Sequence, residues 1–109
     1  MANTFKNKTF DGSSTAANSD MIPYTCPTST TTVVIGLTIA NTTSNQITVD
    51  IKLDASTNVF LAKNLPIPAG SAFEYMSGNK IIMQAGHSIK IQSDTANSAD
   101  TTMSIMEIT

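Results

Sequence analysis

Arginine and tryptophan are missing from this sequence, and cysteine and histidine each occur once among its 109 residues. Six lysines stand against eight acidic residues, which gives a formal net charge of −2 at pH 7. A chain with this charge lacks the excess of basic residues that is typical of nucleic-acid binders, and it offers no polybasic attraction to an anionic membrane. We therefore expect neither nucleic acid nor a membrane among the partners.

Disulfides and long apolar runs are excluded as well. Cys26 is the single cysteine and cannot form an internal disulfide, so no disulfide framework holds the fold. The longest apolar run, residues 33–37, is far too short to span a bilayer, and the first residues lack the apolar segment of a secretory signal. These features predict a soluble protein made in the cytosol.

What the sequence has instead is small polar and β-branched side chains. Threonine, serine and asparagine supply 17, 12 and nine residues and isoleucine supplies 12, whereas charged residues make up only 13%. Threonine and isoleucine suit pleated sheets better than helices, because their branched side chains pack well on a sheet surface. The hydrophobic fraction of 40% is enough for one core, and the length is that of one domain.

A period-two alternation marks the clearest strands. Between residues 32 and 41 the odd positions are large and apolar, and the same holds between residues 47 and 53 after a turn-like segment. This pattern predicts a hairpin with one buried and one wet face, the wet face carrying Asp50, Lys52 and Asp54. We predict a shared buried core at seven positions, namely Ile35, Leu37, Ile47, Val49, Ile51, Ile89 and Ile91.

Shorter strands and turns fill the remainder of the chain. The segment Leu65–Pro68 holds two prolines without ladder donors, so it is predicted to lie at an edge or to cross between sheets. A strand is predicted over residues 72–76 and a turn over 77–79. Seven or eight short strands without a helix predict an all-β fold, a single antiparallel β-sandwich or jelly-roll-like domain over residues 21–109.

The first 20 residues differ from the rest. They show no strand or helix period and many small polar residues, so we predict an extended N-terminal arm over residues 1–20. Two positions for this arm stay open: against a neighbouring subunit, which its reach favours, or folded back on its own sandwich. The candidate assembly contacts are Phe5, Phe10 and Tyr24, and such an arm predicts a homo-oligomer.

Residues suited to catalysis or metal binding are few. His87 follows a turn without a second histidine, and Cys26 has no base near it in the sequence. We interpret them as a turn residue and a small buried side chain. The loop Asp94–Asp100 offers oxygen ligands for Ca²⁺ without EF-hand spacing, and an Asx-rich loop is its simpler interpretation. We predict no catalytic residues, no cofactor and no tightly bound metal.

Several stretches of the sequence match a pattern found in a known class of protein. They are Thr31–Asn41 continuing to Ile47–Ile51, then Leu61–Gly70, Gly78–Gly86 and Met103–Ile108. Over roughly residues 30–109 the chain resembles small β-rich virion structural proteins of tailed bacteriophages, particularly phages of cyanobacteria and other marine bacteria.

This resemblance implies a place on a virus particle and brings no catalytic residues with it. It leads us to predict a non-enzymatic, multicopy accessory or decoration protein, made in the host cytoplasm. Such a protein would dock on the capsid or on the neck, collar or tail, with other virion proteins as partners. A different class also stays open, a glycan- or cell-surface-binding β-sandwich module of a phage fibre. Aromatic residues are only 6% of the chain, which leaves little surface for stacking on sugar rings.

Overall fold

Two antiparallel sheets, packed face to face, make up the part of the chain that a computed structural model describes, residues 2–75 and 80–109. The prediction of an all-β sandwich is confirmed, with nine strands in the described residues where seven or eight were expected. The elements are β1 (Asn3–Phe10), a 3-10 helix (Gly12–Ser14), β2 (Met21–Thr25), β3 (Thr31–Asn41), β4 (Ile47–Asp54), β5 (Asn58–Ile67), β6 (Ala72–Glu74), β7 (Ile81–Met83), β8 (Ser88–Ser93) and β9 (Ala99–Ile108).

The strand order places sequence-distant strands side by side. One sheet has the order β1-β9-β3, with the short strands β6 and β7 both pairing with β3 on its far side. The other sheet has the order β2-β8-β4-β5. We call them the five-stranded and the four-stranded sheet. The turn predicted over residues 77–79 and the end of the strand predicted over 72–76 lie outside the described residues.

The core fills the space between the inward faces of the two sheets. Six of the seven predicted core residues are fully buried there, as the alternation predicted: Leu37, Ile47, Val49, Ile51, Ile89 and Ile91. Further buried residues come from the neighbouring strands, among them Met21, Ile39, Ile67, Met83, Met103 and Ile105. One continuous apolar cluster therefore joins both sheets.

The prediction that the seventh residue, Ile35, belongs to the core is wrong. Ile35 is 38% exposed, because the pairing of β3 with β9 shifts register between Val34 and Gly36. Val34 lies opposite Ile105 and Gly36 opposite Ser104, so Ile35 is the extra residue of a β-bulge. Val34 takes the inward place and is fully buried. A one-residue insertion of this kind reverses the facing of every side chain before it.

The N-terminal segment pairs with the domain's own sheet in this structure. Residues Asn3–Phe10 form β1, which lies antiparallel to β9 along its whole length. The following residues are also attached: the Gly12 N–H donates to Asp100 Oδ1 at 2.9 Å and the Asn18 N–H donates to the Ser93 carbonyl at 2.8 Å. This is the second of the two positions that the sequence left open. An arm spanning residues 1–20 that contacts a neighbour stays a prediction.

All four sheet edges carry features that hinder pairing with another strand. On β1, Lys6 and Lys8 lie opposite the inward-facing residues of β9. β2 contains Pro23 and β5 contains Pro66, each without a ladder donor, and both strands have register shifts. β6 and β7 are three residues each. The expected edge position of the Leu65–Pro68 segment is confirmed by β5, and inward lysines, prolines, bulges and short strands all discourage edge-to-edge association.

Candidate functional site

A row of four apolar side chains crosses the outer face of the five-stranded sheet. Phe5 on β1 lies opposite Met106 on β9, Met106 lies opposite Val33 on β3, and Val33 lies opposite Ile82 on β7. Directly opposed residues of antiparallel strands project from the same face with their Cβ atoms about 5 Å apart. Phe5 is 72% exposed and Ile82 is 52% exposed, whereas the two middle residues are half-buried. We call this set the apolar row.

The strand side chains around the apolar row are small and polar, or they are carboxylates that already accept hydrogen bonds within the chain. Outward positions next to it hold small polar side chains, including Thr31, Ser104 and Thr102. In the described strands of this sheet, the outward carboxylates are Glu74 and Asp100. Glu74 accepts hydrogen bonds from the Leu37 N–H at 3.1 Å and the Thr38 hydroxyl at 2.7 Å, and Asp100 accepts one from a backbone N–H. The two lysines of β1 point inward, and the exposed Lys80 directly precedes β7, two residues from Ile82 of the row.

The outer face of the four-stranded sheet has the opposite character. Lys90 pairs with Asp54 at 2.9 Å, Lys52 with Asp20 at 3.5 Å, and Lys63 with Asp50 at 3.9 Å. The wet face predicted for β4 is confirmed. A hydrogen bond from Gln92, with both Lys52 and Lys90 nearby, lowers the pKa of Asp20, and Asp54 raises the pKa of Lys90. Exposed pairs of this kind contribute little stability, and they are typical of a solvated face.

A buried polar cluster lies between β1 and β2, which are edge strands of the two sheets. The Tyr24 hydroxyl donates to Glu107 Oε2 at 2.6 Å and lies 2.7 Å from the Thr32 hydroxyl. The other oxygen of Glu107 lies 2.8 Å from Lys6 Nζ. The hydrogen bonds from Lys6 and Tyr24 lower the pKa of Glu107, whereas burial and the bond to Glu107 raise the pKa of Tyr24. The cluster joins four strands, β1, β2, β3 and β9.

The structure separates the three predicted assembly residues. Phe5 is the most exposed large apolar side chain among the described residues, and it heads the apolar row. Phe10 is half-buried and packs against the core, and Tyr24 is 5% exposed with its hydroxyl bonded inside the domain. An assembly role for these three stays a prediction. In the single chain the burial of Tyr24 removes it from the surface that Phe5 belongs to.

Cys26 and His87, which are far apart in the sequence, are neighbours just beyond the ends of β2 and β8. The Cys26 N–H donates to the His87 carbonyl at 2.8 Å, and the Gly86 N–H donates to the Cys26 carbonyl at 2.9 Å. Their side chains contact different partners. The buried Cys26 thiol contacts the Thr30 carbonyl at 3.3 Å, and His87 Nδ1 accepts from the Gln84 N–H at 3.2 Å. The interpretations of a small buried side chain and a turn histidine agree with these contacts.

Acidic side chains in and near the Asp94–Asp100 loop accept hydrogen bonds from backbone N–H groups. Asp94 Oδ1 accepts from the Thr48 N–H at 3.1 Å, and Asp11 Oδ1 accepts from the Ser13 N–H at 2.9 Å, which lowers the pKa of Asp11. Asp11 and Asp100 line an open pocket of about 330 Å³ together with Thr9, Phe10, Thr101 and Thr102. In residues 2–75 and 80–109, no group of three or more histidine, cysteine or acidic side chains is placed to hold a metal ion.

Replacing Glu107 by glutamine should lower the free energy of unfolding at pH 7 by about 1.5–3 kcal/mol, the range for hydrogen bonds to a charged group. The pKa of Glu107 is lowered in the folded state, so its stabilisation is fully present above the unfolded pKa, about 4.3. It is lost as the pH falls through the lower folded value. Urea unfolding at pH 7 and at pH 3 measures the difference, which should shrink at pH 3.

The control for this prediction is the same substitution in a Lys6→Met background. If Lys6 and Glu107 interact directly, the two changes together should cost less than the sum of their separate effects. An equal loss at both pH values, with strict additivity, would contradict a role for the Glu107 charge.

Comparisons with known proteins give a likeness in structure but none in sequence. No protein-family model and no curated protein sequence matches the chain. A structure of Bacillus endospore appendages, described as disulfide-linked pili, superposes with a TM-score of 0.52 at 14% identity, covering 97% of this chain and 84% of that one. A structure of the Gx strain of infectious bursal disease virus gives a TM-score of 0.54 at 12% identity, covering 95% of this chain and 32% of that one.

A third structure is a pentameric capsid protein from metagenomic phage sequences. It matches with a TM-score of 0.45 at 17% identity and covers 92% of this chain and 59% of that one. The chain spans about a third of the viral chain and three fifths of the phage chain that it matches. At these identities the likeness shows the fold alone: a β-sandwich that distantly resembles structural proteins of viruses and pili. No helix in the described residues is both long and apolar enough to cross a membrane.

Proposed function

We propose that the protein is a non-enzymatic structural component of a bacteriophage virion, present in many copies and made in the host cytoplasm. It docks as an accessory or decoration protein on the capsid or on the neck, collar or tail. The observation that carries this proposal is the apolar row, an exposed hydrophobic strip with small polar side chains such as Thr31, Ser104 and Thr102 beside it. Exposed apolar strips with polar borders are typical of protein–protein contact sites.

The sequence resemblance and the fold support the same proposal. The stretches that resemble phage virion proteins lie mostly in β3, β4, β5 and β9, which form the body of both sheets. The side chains that could serve catalysis have structural partners instead: Cys26 is buried, and the carboxylates of Asp11, Asp94 and Asp100 accept hydrogen bonds from backbone N–H groups.

The N-terminal segment takes part in this proposed docking surface. Phe5 is the most exposed member of the apolar row, and β1 fixes it beside Met106 through its pairing with β9. The arm and the sandwich therefore present one continuous surface. Other virion subunits, further copies of this chain among them, are the proposed partners of that surface.

The test is association with virus particles. Particles prepared from a phage whose gene for this protein is deleted should take up the purified protein until a fixed number of copies per particle is bound. Sedimentation with the particles, followed by quantitative mass spectrometry, measures the uptake. A small β-sandwich protein from an unrelated source is the control. Absence of uptake, together with selective binding on a glycan array, would instead support the glycan-binding fibre module.

A further inference from the structure

We infer that a second copy of this chain covers the apolar row, so that two five-stranded sheets pack face to face about a two-fold axis. The inference rests on the proposed assembly role and names the first partner of that surface. It follows from the charge, the hydrogen-bonding groups and the size of the face, and from the closed edges of both sheets.

The charge distribution of this face suits a copy of itself. A partner chosen by opposite charge would need a patch of one sign to recognise, whereas this face carries the carboxylates of Glu74 and Asp100, and the exposed Lys80 directly precedes β7. The carboxylates of Glu74 and Asp100 already accept hydrogen bonds from their own chain. Two such faces can meet without strong like-charge repulsion, and a two-fold contact requires this because it brings the same patch against itself.

The polar side chains around the row are also self-complementary. Hydroxyl groups such as those of Thr31, Ser104 and Thr102, and carboxamides such as that of Asn3, each both donate and accept hydrogen bonds. Identical surfaces can therefore satisfy one another. On the charged face of the four-stranded sheet, lysines only donate and ionised carboxylates only accept, so two copies would have to align opposite charges that are already paired within each chain.

The size of the face fits a modest dimer interface. Four strand widths and a strand of ten residues set an upper limit of about 600 Å² per copy, because β6 and β7 fill only part of the fourth width. Standard interfaces bury about 800 Å² per partner, so this face lies at the smaller end of the specific range. We therefore expect a dimer that dissociates on dilution.

Two other modes of association, strand addition at a sheet edge and contact through the exposed Phe60, are disfavoured. Inward lysines, prolines and short strands hinder each sheet edge, so a neighbouring chain is disfavoured as an added strand. The exposed aromatic Phe60, on the four-stranded sheet, is contacted in its own chain by Lys63, whose Nζ lies 4.5 Å from the ring centroid. Face-to-face packing, with sheets about 10 Å apart, is the arrangement left to the apolar row.

The test measures the mass of the purified protein as a function of concentration by analytical ultracentrifugation. The protein should pass from monomer to dimer between about 1 and 300 μM, the range of a weak specific complex. Changing both Phe5 and Ile82 to serine should raise the dissociation constant at least about tenfold, because these are the two most exposed apolar side chains that the second copy would bury. The matched control is Phe60→Ser, whose side chain is 51% exposed on the other sheet and whose replacement should leave the dissociation constant unchanged.

Cross-linking locates the contact independently. Ser104 lies at an exposed outward position in the middle of β9, so Ser104→Cys should join two copies through a bis-maleimide about 10 Å long, the separation of packed sheets. Gln92→Cys, on the outer face of the four-stranded sheet, is the control and should give no cross-linked dimer. The native Cys26 is buried and contributes little to labelling in the folded protein.

Three outcomes would overturn the inference. They are a monomer at every concentration, a dimer that the Phe5 and Ile82 changes leave intact, and a ring of three or more copies, since a two-fold contact joins only two. A monomer that still saturates the deleted particles would reject the dimer and keep the proposed function. A dimer that binds no particle would do the reverse.

Discussion

Replacing Ile51 by alanine should lower the free energy of unfolding by about 2–4 kcal/mol, within the range for truncating a fully buried isoleucine. Ile51 lies on β4, between β8 and β5, and its side chain is completely buried against both sheets. The loss combines the transfer of the removed carbon atoms with the cavity they leave. Urea denaturation followed by circular dichroism measures it, provided that the slope with denaturant stays the same.

The matched control is Ile35→Ala, the same substitution at the bulge of β3. That side chain is 38% exposed, so its truncation should cost less than about 1 kcal/mol. Similar losses at both positions would contradict the bulge, since they would require Ile35 to be as deeply packed as the alternation alone predicts.

Replacing Gly12 by alanine should destabilise the protein by about 3 kcal/mol or more, at the upper end for overpacking. An added Cβ would lie 1.8 Å from the carbonyl oxygen of Ala99 and 2.9 Å from its carbonyl carbon. Both are backbone atoms, so the clash can be relieved only by moving the start of β9 or the 3-10 helix. The shift would also disturb the Gly12 N–H bond to Asp100.

Gly36→Ala is the control for this substitution. A Cβ there would have its nearest contacts at 3.8 Å, to Glu74 and Ser104, which is ordinary packing. Because glycine is a poor strand residue, the change at Gly36 should be neutral or slightly stabilising. Thermal unfolding of both variants at a low protein concentration compares them; equal midpoints would show that the segment after β1 adjusts freely.

The regular strands could be predicted from the sequence, and the irregular ones could not. In β4 and β8 every second residue is apolar, so Ile47, Val49, Ile51, Ile89 and Ile91 reveal their facing directly. The bulge at Ile35 adds a residue without changing the local composition, which hides it from any pattern. β1 is hidden for a different reason. Its inward positions include Lys6 and Lys8, so the segment lacks the apolar period of a strand and instead resembles an arm.

The apolar row lay beyond sequence reasoning because it depends on which strands become neighbours. Phe5, Val33, Ile82 and Met106 are spread over most of the chain, and only the order β1-β9-β3-β7 brings them into line. The bulge matters here too. The alternation groups Val33 with Ile35 and Leu37 on the inner face, and the extra residue at 35 turns Val33 outward into the row. A prediction from the sequence would need both the strand order and the position of the bulge.

The central place of β9 also governs when the protein can fold during its synthesis. β9 separates β3 from β1, so neither of these strands has its long partner until Ala99–Ile108 has left the ribosome. Pairing between such distant segments is slow, on the order of milliseconds to seconds for all-β domains. Until then the nascent β3, with its run Val33-Val34-Ile35, exposes an unpaired apolar strand that the edge features of the folded domain do not protect. Unfinished chains are therefore more prone to aggregate through β3 than the folded protein is.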